Sequence, residues 1–329
     1  MKLMAIIAND GFPAFRRRVA AAAEYGFHSV GVGDTPNHIE MYVSLTVAAH
    51  VAPRLHLGTM ATNVATRHLS VTARSVAALD DLTDGRAFLG IGAGDSAMRA
   101  IGGRHATLAE RRAGVAAIRG YWRDAGFTAD PAPDPWGARP IVLAGDGPKA
   151  LGLAGEVGDV AVIGTGIADD VVARTRALVQ AGSQRAQRAH NAVQTWYLAR
   201  CAVTEDIGQA TVRLRTTLAA GANHVFRSHG EIDAAPAGLR PALTRLTQDY
   251  DYRFHGVPGA NPNAALVSEE PLLSYLLHRF ALVGSAATIA ARMHELHQLG
   301  VDGFVIPIIG GDPDLTLDSI GRELIPLLL

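Results

Sequence analysis

The chain has 329 residues with a formal net charge of -1, 48% hydrophobic and 19% charged residues, a balance that suits a large buried core and excludes a disordered chain. Near-neutral charge leaves no basic footprint for nucleic acid, and no uncharged apolar run approaches the ~20 residues of a membrane-spanning helix. The single cysteine, Cys201, excludes an internal disulfide and a thiolate metal site, so a reducing, cytoplasmic setting is expected.

Met1 leads directly into an apolar run over 3–8, without the ordered regions of a signal peptide. A helix over 14–25 ends at Gly26, and a second strand covers 28–33. A helix over 39–51, punctuated by Pro53, precedes a strand over 55–60, a helix over 70–82 and a strand over 86–92. A helix over 107–123 and a Pro-rich connection, 131–140, lead to the strand Ile141-Val142-Leu143. Gly147-Pro148 opens the next helix, where proline in the first turn loses no useful donor. Strands are then expected over 159–163, 194–203 and 303–308, with helices over 168–187, 285–298 and 314–328.

About eight strands alternating with helices indicate an all-parallel sheet. An open doubly wound sheet and a closed barrel both satisfy that count. No G-x-G-x-x-G follows the first strand, whose loop reads Asn9-Asp10-Gly11-Phe12-Pro13, which weighs against a dinucleotide-binding sheet. The fold class expected is therefore α/β, a (β/α)8 TIM-type barrel forming one domain over residues 1–329. Residues 220–275 break the rhythm with His224, Arg227, His229, Tyr250, Tyr252, Phe254 and His255, and are expected to form an insertion or lid at the barrel mouth.

In such a barrel the reactive groups sit at the C-terminal ends of the strands. Those ends carry Gly33-Asp34-Thr35-Pro36-Asn37-His38, Met60 through His68, Gly92-Ala93-Gly94-Asp95-Ser96, Ala144-Gly145-Asp146-Gly147-Pro148 and Gly164-Thr165-Gly166. Gly145-Asp146-Gly147-Pro148, after strand five, runs straight into a helix whose first amides are unpaired, so with Gly164-Thr165-Gly166 after strand six it forms a candidate anion site. Neither a G-x-S-x-G elbow nor an H-E-x-x-H pair occurs. Asp80-Asp81 reads as a solvated helix end, and Met293, His294 and His297 as a half-buried helix face. No metal site is expected.

At these strand ends the sequence resembles the luciferase-like family of flavin- and deazaflavin-dependent oxidoreductases, most closely its methylenetetrahydromethanopterin reductase branch. The likeness is carried by Leu57 through Asn63, Thr66-Arg67-His68, Ala78-Leu79-Asp80, Gly85-Arg86-Ala87, Gly90 through Ser96, Ala144 through Pro148 with Ala154-Gly155-Glu156, and Leu299 through Phe304. It covers most of residues 1–205 and 279–329 but not the insertion. The resemblance implies a tricyclic ring in the barrel mouth, with the cofactor phosphate at the strand-five and strand-six loops, where Ala144, Gly145, Asp146, Gly147, Gly164 and Thr165 would hold it. It implies a non-prolyl cis peptide at Met60–Ala61, ring contacts from Thr62 and Asn63, and a channel lined by Gly94 and Asp95. Asp34 matches the family's acidic residue beside the ring. Thr35 stands where some deazaflavin-dependent relatives have histidine, so a histidine proton donor does not carry over.

The expected activity is hydride transfer between coenzyme F420 and a small organic substrate, with Asp34 and Thr35 as catalytic candidates. Arg227, Tyr252, Phe254 and His255 are the candidate substrate-binding residues. An FMN-dependent monooxygenase, supplied with reduced FMN by a separate reductase, is the alternative, and a cofactor-less binding barrel the second. The family also implies a homodimer.

Overall fold

A computed structural model describes residues 1–35, 38–124, 139–228, 230–255, 261–309 and 311–329. Along the first half run β1 (Lys2–Ile7), α1 (Phe12–Tyr25), β2 (Ser29–Val32), α2 (Met41–Val51), β3 (His56–Thr62), α3 (Leu69–Leu82), β4 (Ala87–Ile91), α4 (Asp95–Ala100) and α5 (Leu108–Asp124). There follow β5 (Ile141–Ala144), α6 (Pro148–Val157), β6 (Val160–Ile163), α7 (Asp169–Arg185), β7 (Gln194–Leu198), β8 (Arg200–Val203) and α8 (Ile207–Ser228). The chain continues with α9 (Arg240–Asp249), α10 (Leu272–Phe280), β9 (Ala281–Gly284), α11 (Ala286–Gln298), β10 (Gly303–Ile308) and α12 (Pro313–Ser319).

Strands β1 to β7 and β10 close into a parallel eight-stranded barrel, with β10 between β7 and β1. The expected TIM-type barrel is thus the observed fold. Its closure depends on close backbone approach. A Cβ on Gly58 would lie 2.1 Å from the Phe88 carbonyl oxygen, and one on Gly31 would lie 2.4 Å from Met60 Cβ. Without side chains there, Met4, Phe88, Val142, Val160, Val162, Trp196 and Val305 fill the interior, with Met60 at the top. The outward strand residues pack against the helix ring in a separate cluster that includes Leu57, Leu89, Ile141, Tyr197 and Phe304.

Near the mouth β3 bends. The Met60–Ala61 peptide is cis, as the resemblance implied, and the β3–β4 register shifts between Thr59 and Thr62. Thr59 Oγ1 donates to the Gly90 carbonyl (2.8 Å) and accepts from the Gly90 amide (2.9 Å), pinning the two strands just below the bend.

Several expectations are corrected. The run over 194–203 is two strands, because the Ala199 amide is the last to bond β10 (to Val305 O, 3.0 Å) and the chain then leaves the barrel. From Arg200 it pairs in parallel with β9 instead. The segment over 314–328 is α-helical only to Ser319, then widens through a π turn at Ile320–Leu324 and tightens in a 3-10 turn at Ile325–Leu327. Asp80 is no solvated helix end. Its carboxylate is 1% exposed, accepts the Ala87 amide (3.2 Å) and faces Arg139 at 3.7 Å, while burial raises its pKa.

The insertion is larger than the 220–275 expected. It begins with the 22-residue helix α8, capped by Asp206, and runs to the end of α10. It has its own core, in which Leu218, Val225, Phe226, Leu243, Leu246, Val267, Leu276 and Phe280 meet. A buried ion network joins it to the barrel. Glu231, 4% exposed, receives both terminal nitrogens of Arg174 (2.7 and 2.8 Å) and one from Arg279 (2.7 Å). Arg279 Nε also donates to the Thr165 carbonyl at 3.0 Å. Among the described residues no helix is long and apolar enough to cross a membrane. Pro36, Asn37, His229, the segment 256–260 and most of the Pro-rich connection lie outside the described residues.

Candidate active site at the barrel mouth

Between the C-terminal strand ends and one face of α8 lies a cavity of about 1360 Å³. Its wall includes Asp34, Thr35, Met60, Ala61, Thr62, Asn63, Gly94, Asp95, Ala144, Gly145, Asp146, Gly147, Gly164, Tyr252 and His255, so most of the candidate residues meet there.

Three candidates stand off that wall. Thr165 is fully buried behind it, its carbonyl turned to Arg279. Arg227 is exposed and lies over the Tyr252 ring, 5.5 Å from its centroid. Phe254 is held in a 3-10 turn, with its carbonyl accepting Asn261 Nδ2 at 2.7 Å. Each is near the cavity in sequence but is turned away by its own element.

The β2 and β3 loops form one polar wall. Asp34 Oδ2 accepts the Thr62 hydroxyl at 2.6 Å and also pairs with Arg67 Nη1. Arg67 reaches Glu40 at 3.0 Å through its other terminal nitrogen. Asn63 is 2% exposed; its Oδ1 accepts the amides of Ala65 (2.9 Å) and Thr66 (2.8 Å), fixing the loop. Asn63 and Thr35 both line the cavity, and Asn63 Nδ2 and Thr35 Oγ1 are buried without a hydrogen-bond partner among the described residues. Buried donors are normally satisfied, so both point to a ligand that supplies acceptors.

The opposite wall is charged. Asp146 Oδ1 accepts the Gly164 amide at 2.6 Å, and its Oδ2 lies 3.0 Å from His224 Nε2. That hydrogen bond raises the His224 pKa against the effect of burial. Arg200 lies nearby, with Nε and Nη1 buried and unpartnered; burial lowers its pKa to about 10, opposed by Asp146. Beside it burial pushes the Cys201 thiol up to about 12, which removes it as a thiolate nucleophile. Over the mouth, Tyr250 Oη contacts His255 Nδ1 at 2.7 Å, Asn223 Nδ2 donates to Tyr252 Oη at 3.0 Å, and burial lowers the His255 pKa.

Sequence reasoning missed Arg111, Arg200 and the pairing of His224 with Asp146. Arg111 lines the cavity, is 8% exposed and has no ion pair among the described residues; its Nε is unsatisfied and burial lowers its pKa. The signal was present. Arg111, Val115, Ile118 and Trp122 form one stripe at helical spacing, and a cation in an apolar stripe is unusual.

A large cavity enclosed by strand-end loops and capping helices, with unsatisfied donors and cations without an ion pair among the described residues, stands where TIM-barrel enzymes carry their sites. The model of the luciferase-like monooxygenase family matches residues 4–303, and the chain belongs to that family. It is 28% identical over 320 residues to a 5,10-methylenetetrahydromethanopterin reductase of Methanolobus tindarius, covering 92% of this chain and 93% of that protein. The coenzyme F420-dependent tetrahydromethanopterin reductase of Methanopyrus kandleri has a similar structure, with a TM-score of 0.76 at 18% identity over 100% of this chain and 99% of that one. An F420-dependent secondary alcohol dehydrogenase in complex with an F420-acetone adduct gives 0.72 at 15% identity, over 100% and 99% of the two chains.

Proposed function

We propose that the chain is an oxidoreductase that holds the 5-deazaflavin coenzyme F420 in the barrel mouth and moves hydride between it and a small organic substrate. The observation that carries this reading is the buried, partnerless Asn63 amide beside the Met60–Ala61 bend. A planar heterocycle with carbonyl oxygens at its edge supplies the acceptor that Asn63 lacks, and the bend offers its face an apolar support. The residues present fit such a group. Alignment of 92% of the chain with a methylenetetrahydromethanopterin reductase favours the deazaflavin over FMN.

When bound, the reduced coenzyme supplies a hydride donor that reacts poorly with oxygen. The chain's part is binding, orientation and exclusion of water. Asn63 Nδ2 and Thr35 Oγ1 donate to the ligand's polar edge. Asp34, engaged through Oδ2 by both Thr62 and Arg67, anchors the β2 and β3 loops instead of acting as a free proton donor. Arg111 takes an anionic group of the ligand. The α8 face, with Tyr252 and His255, covers the mouth and bounds the substrate's space.

Titration of the purified protein with F420, FMN and riboflavin, followed by fluorescence quenching, tests the reading. Binding of F420 is the expected result. A chain that binds FMN and not F420 is an FMN-dependent monooxygenase fed by a separate reductase, and one that binds neither is a cofactor-less barrel.

A further inference from the structure

Between the β5 and β6 loops the anion cradle already holds a carboxylate. Asp146 Oδ1 takes the Gly164 amide at 2.6 Å, and its Oδ2 is 3.0 Å from His224 Nε2. The side chain is 16% exposed. The fit is close: a Cβ on Gly164 would lie 2.9 Å from Asp146 Oδ1. An incoming phosphate therefore finds one amide taken and the His224 charge committed to Asp146.

The charges that remain set what can enter. Asp146 and His224 engage each other at 3.0 Å, while among the described residues Arg200 keeps two buried, unpartnered nitrogens. Lys149 lines the cavity from an exposed position on the lip, where water screens most of its effect. Of the buried cations on the cavity wall, Arg200 is the one beside this carboxylate, and Arg111 stands on α5, so the cradle itself offers one positive charge to one negative charge. A phosphate monoester loses its second proton near pH 6 and is close to dianionic at neutral pH. A phosphodiester carries a single charge. FMN ends in the monoester, whereas coenzyme F420 carries its phosphate as a diester.

We propose that Asp146 is a specificity residue that keeps terminal phosphate dianions out of this cradle and admits a phosphodiester. The inference rests on the reading that a flavin-type cofactor enters this mouth, and it assigns the selection between two such cofactors to one side chain. Asp146→Asn removes the charge and keeps an acceptor for the Gly164 amide. Asp146→Ser removes it with a smaller group.

The experiment compares FMN with riboflavin, which has the same ring and no phosphate, by fluorescence quenching near neutral pH. Wild type, Asp146→Asn and Asp146→Ser are each checked first for an unchanged cooperative thermal transition. The expected result is a gain of about tenfold in FMN affinity in the variants, with riboflavin changing by less than about twofold and F420 by less than FMN. An FMN-to-riboflavin affinity ratio equal in all three proteins, or no FMN binding by any of them, overturns the proposal. Failure of wild type to bind F420 overturns the proposed function instead, and the FMN-to-riboflavin comparison still decides the role of Asp146.

Discussion

Replacing Arg111 by methionine should strengthen the empty protein and weaken its hold on ligand. Arg111 is 8% exposed and has no acidic partner among the described residues, so its charge is desolvated without compensation. The effective cost of burying an ion is several kcal/mol after relaxation. Methionine is similarly long and continues the stripe of Val115, Ile118 and Trp122. If the substitution recovers about 1–3 kcal/mol of that cost, the melting temperature of the free protein rises by about 1.5–4.5 °C. In the bound state the same arginine makes a charge-assisted contact worth about 1.5–3 kcal/mol, so affinity for the anionic ligand falls about 10- to 100-fold. Thermal melting with and without ligand measures both quantities, since ligand-induced stabilisation follows affinity. A variant that melts below wild type and binds ligand equally well would refute the argument, because Arg111 would then be a paired structural group.

Asn63→Asp keeps the acceptor for the Ala65 and Thr66 amides but replaces the orphan donor with a second oxygen. Its melting temperature should stay within a few degrees of wild type, about 1 kcal/mol, while cofactor affinity drops at least about tenfold by titration. Glu231→Gln leaves Arg174 and Arg279 without their carboxylate at the junction of insertion and barrel. A loss of about 3–5 kcal/mol predicts a fall of about 4–7 °C in melting temperature, and a smaller fall than Asn63→Asp would show that the network is dispensable. Burial lowers the His28 pKa from 6.5 to about 3, helped by its stacked neighbour His56 at 4.5 Å. Between those values the unfolded chain binds a proton that the folded one refuses, so stability drops as the pH is lowered through that window. Wild type minus His28→Gln, measured by denaturant melts at several pH values, should show that slope; a flat difference counts against it.

The barrel was legible because each strand is a short apolar run and each helix has its own start or stop, such as Gly26 after α1 and Pro148 within α6. What escaped depended on tertiary pairing. Apart from the single charge of Arg200, nothing local marks Ala199 as the end of a strand, since Cys201-Ala202-Val203 is as apolar as the run before it; the break is made by β9, which begins 82 residues on from there at Ala281. The start of α8 was readable, because Asp206 accepts the Gln209 amide at 2.9 Å in an N-cap geometry that residue spacing suggests. The site divided along similar lines. Backbone-led features lie within single loops, so the glycines around Asp146 could be located by position and the Met60–Ala61 bend through the family resemblance. Charged groups reached from helices could be found only through their phase. His224 shares the cavity-facing side of α8 with Thr217, Ala220 and Gly221, and Arg111 shares the buried side of α5. A polar residue on a helix face otherwise given to small or apolar ones is therefore the more informative signal here. It identifies which arginines of an arginine-rich chain line the cavity, where the strand-end motifs mark only its rim.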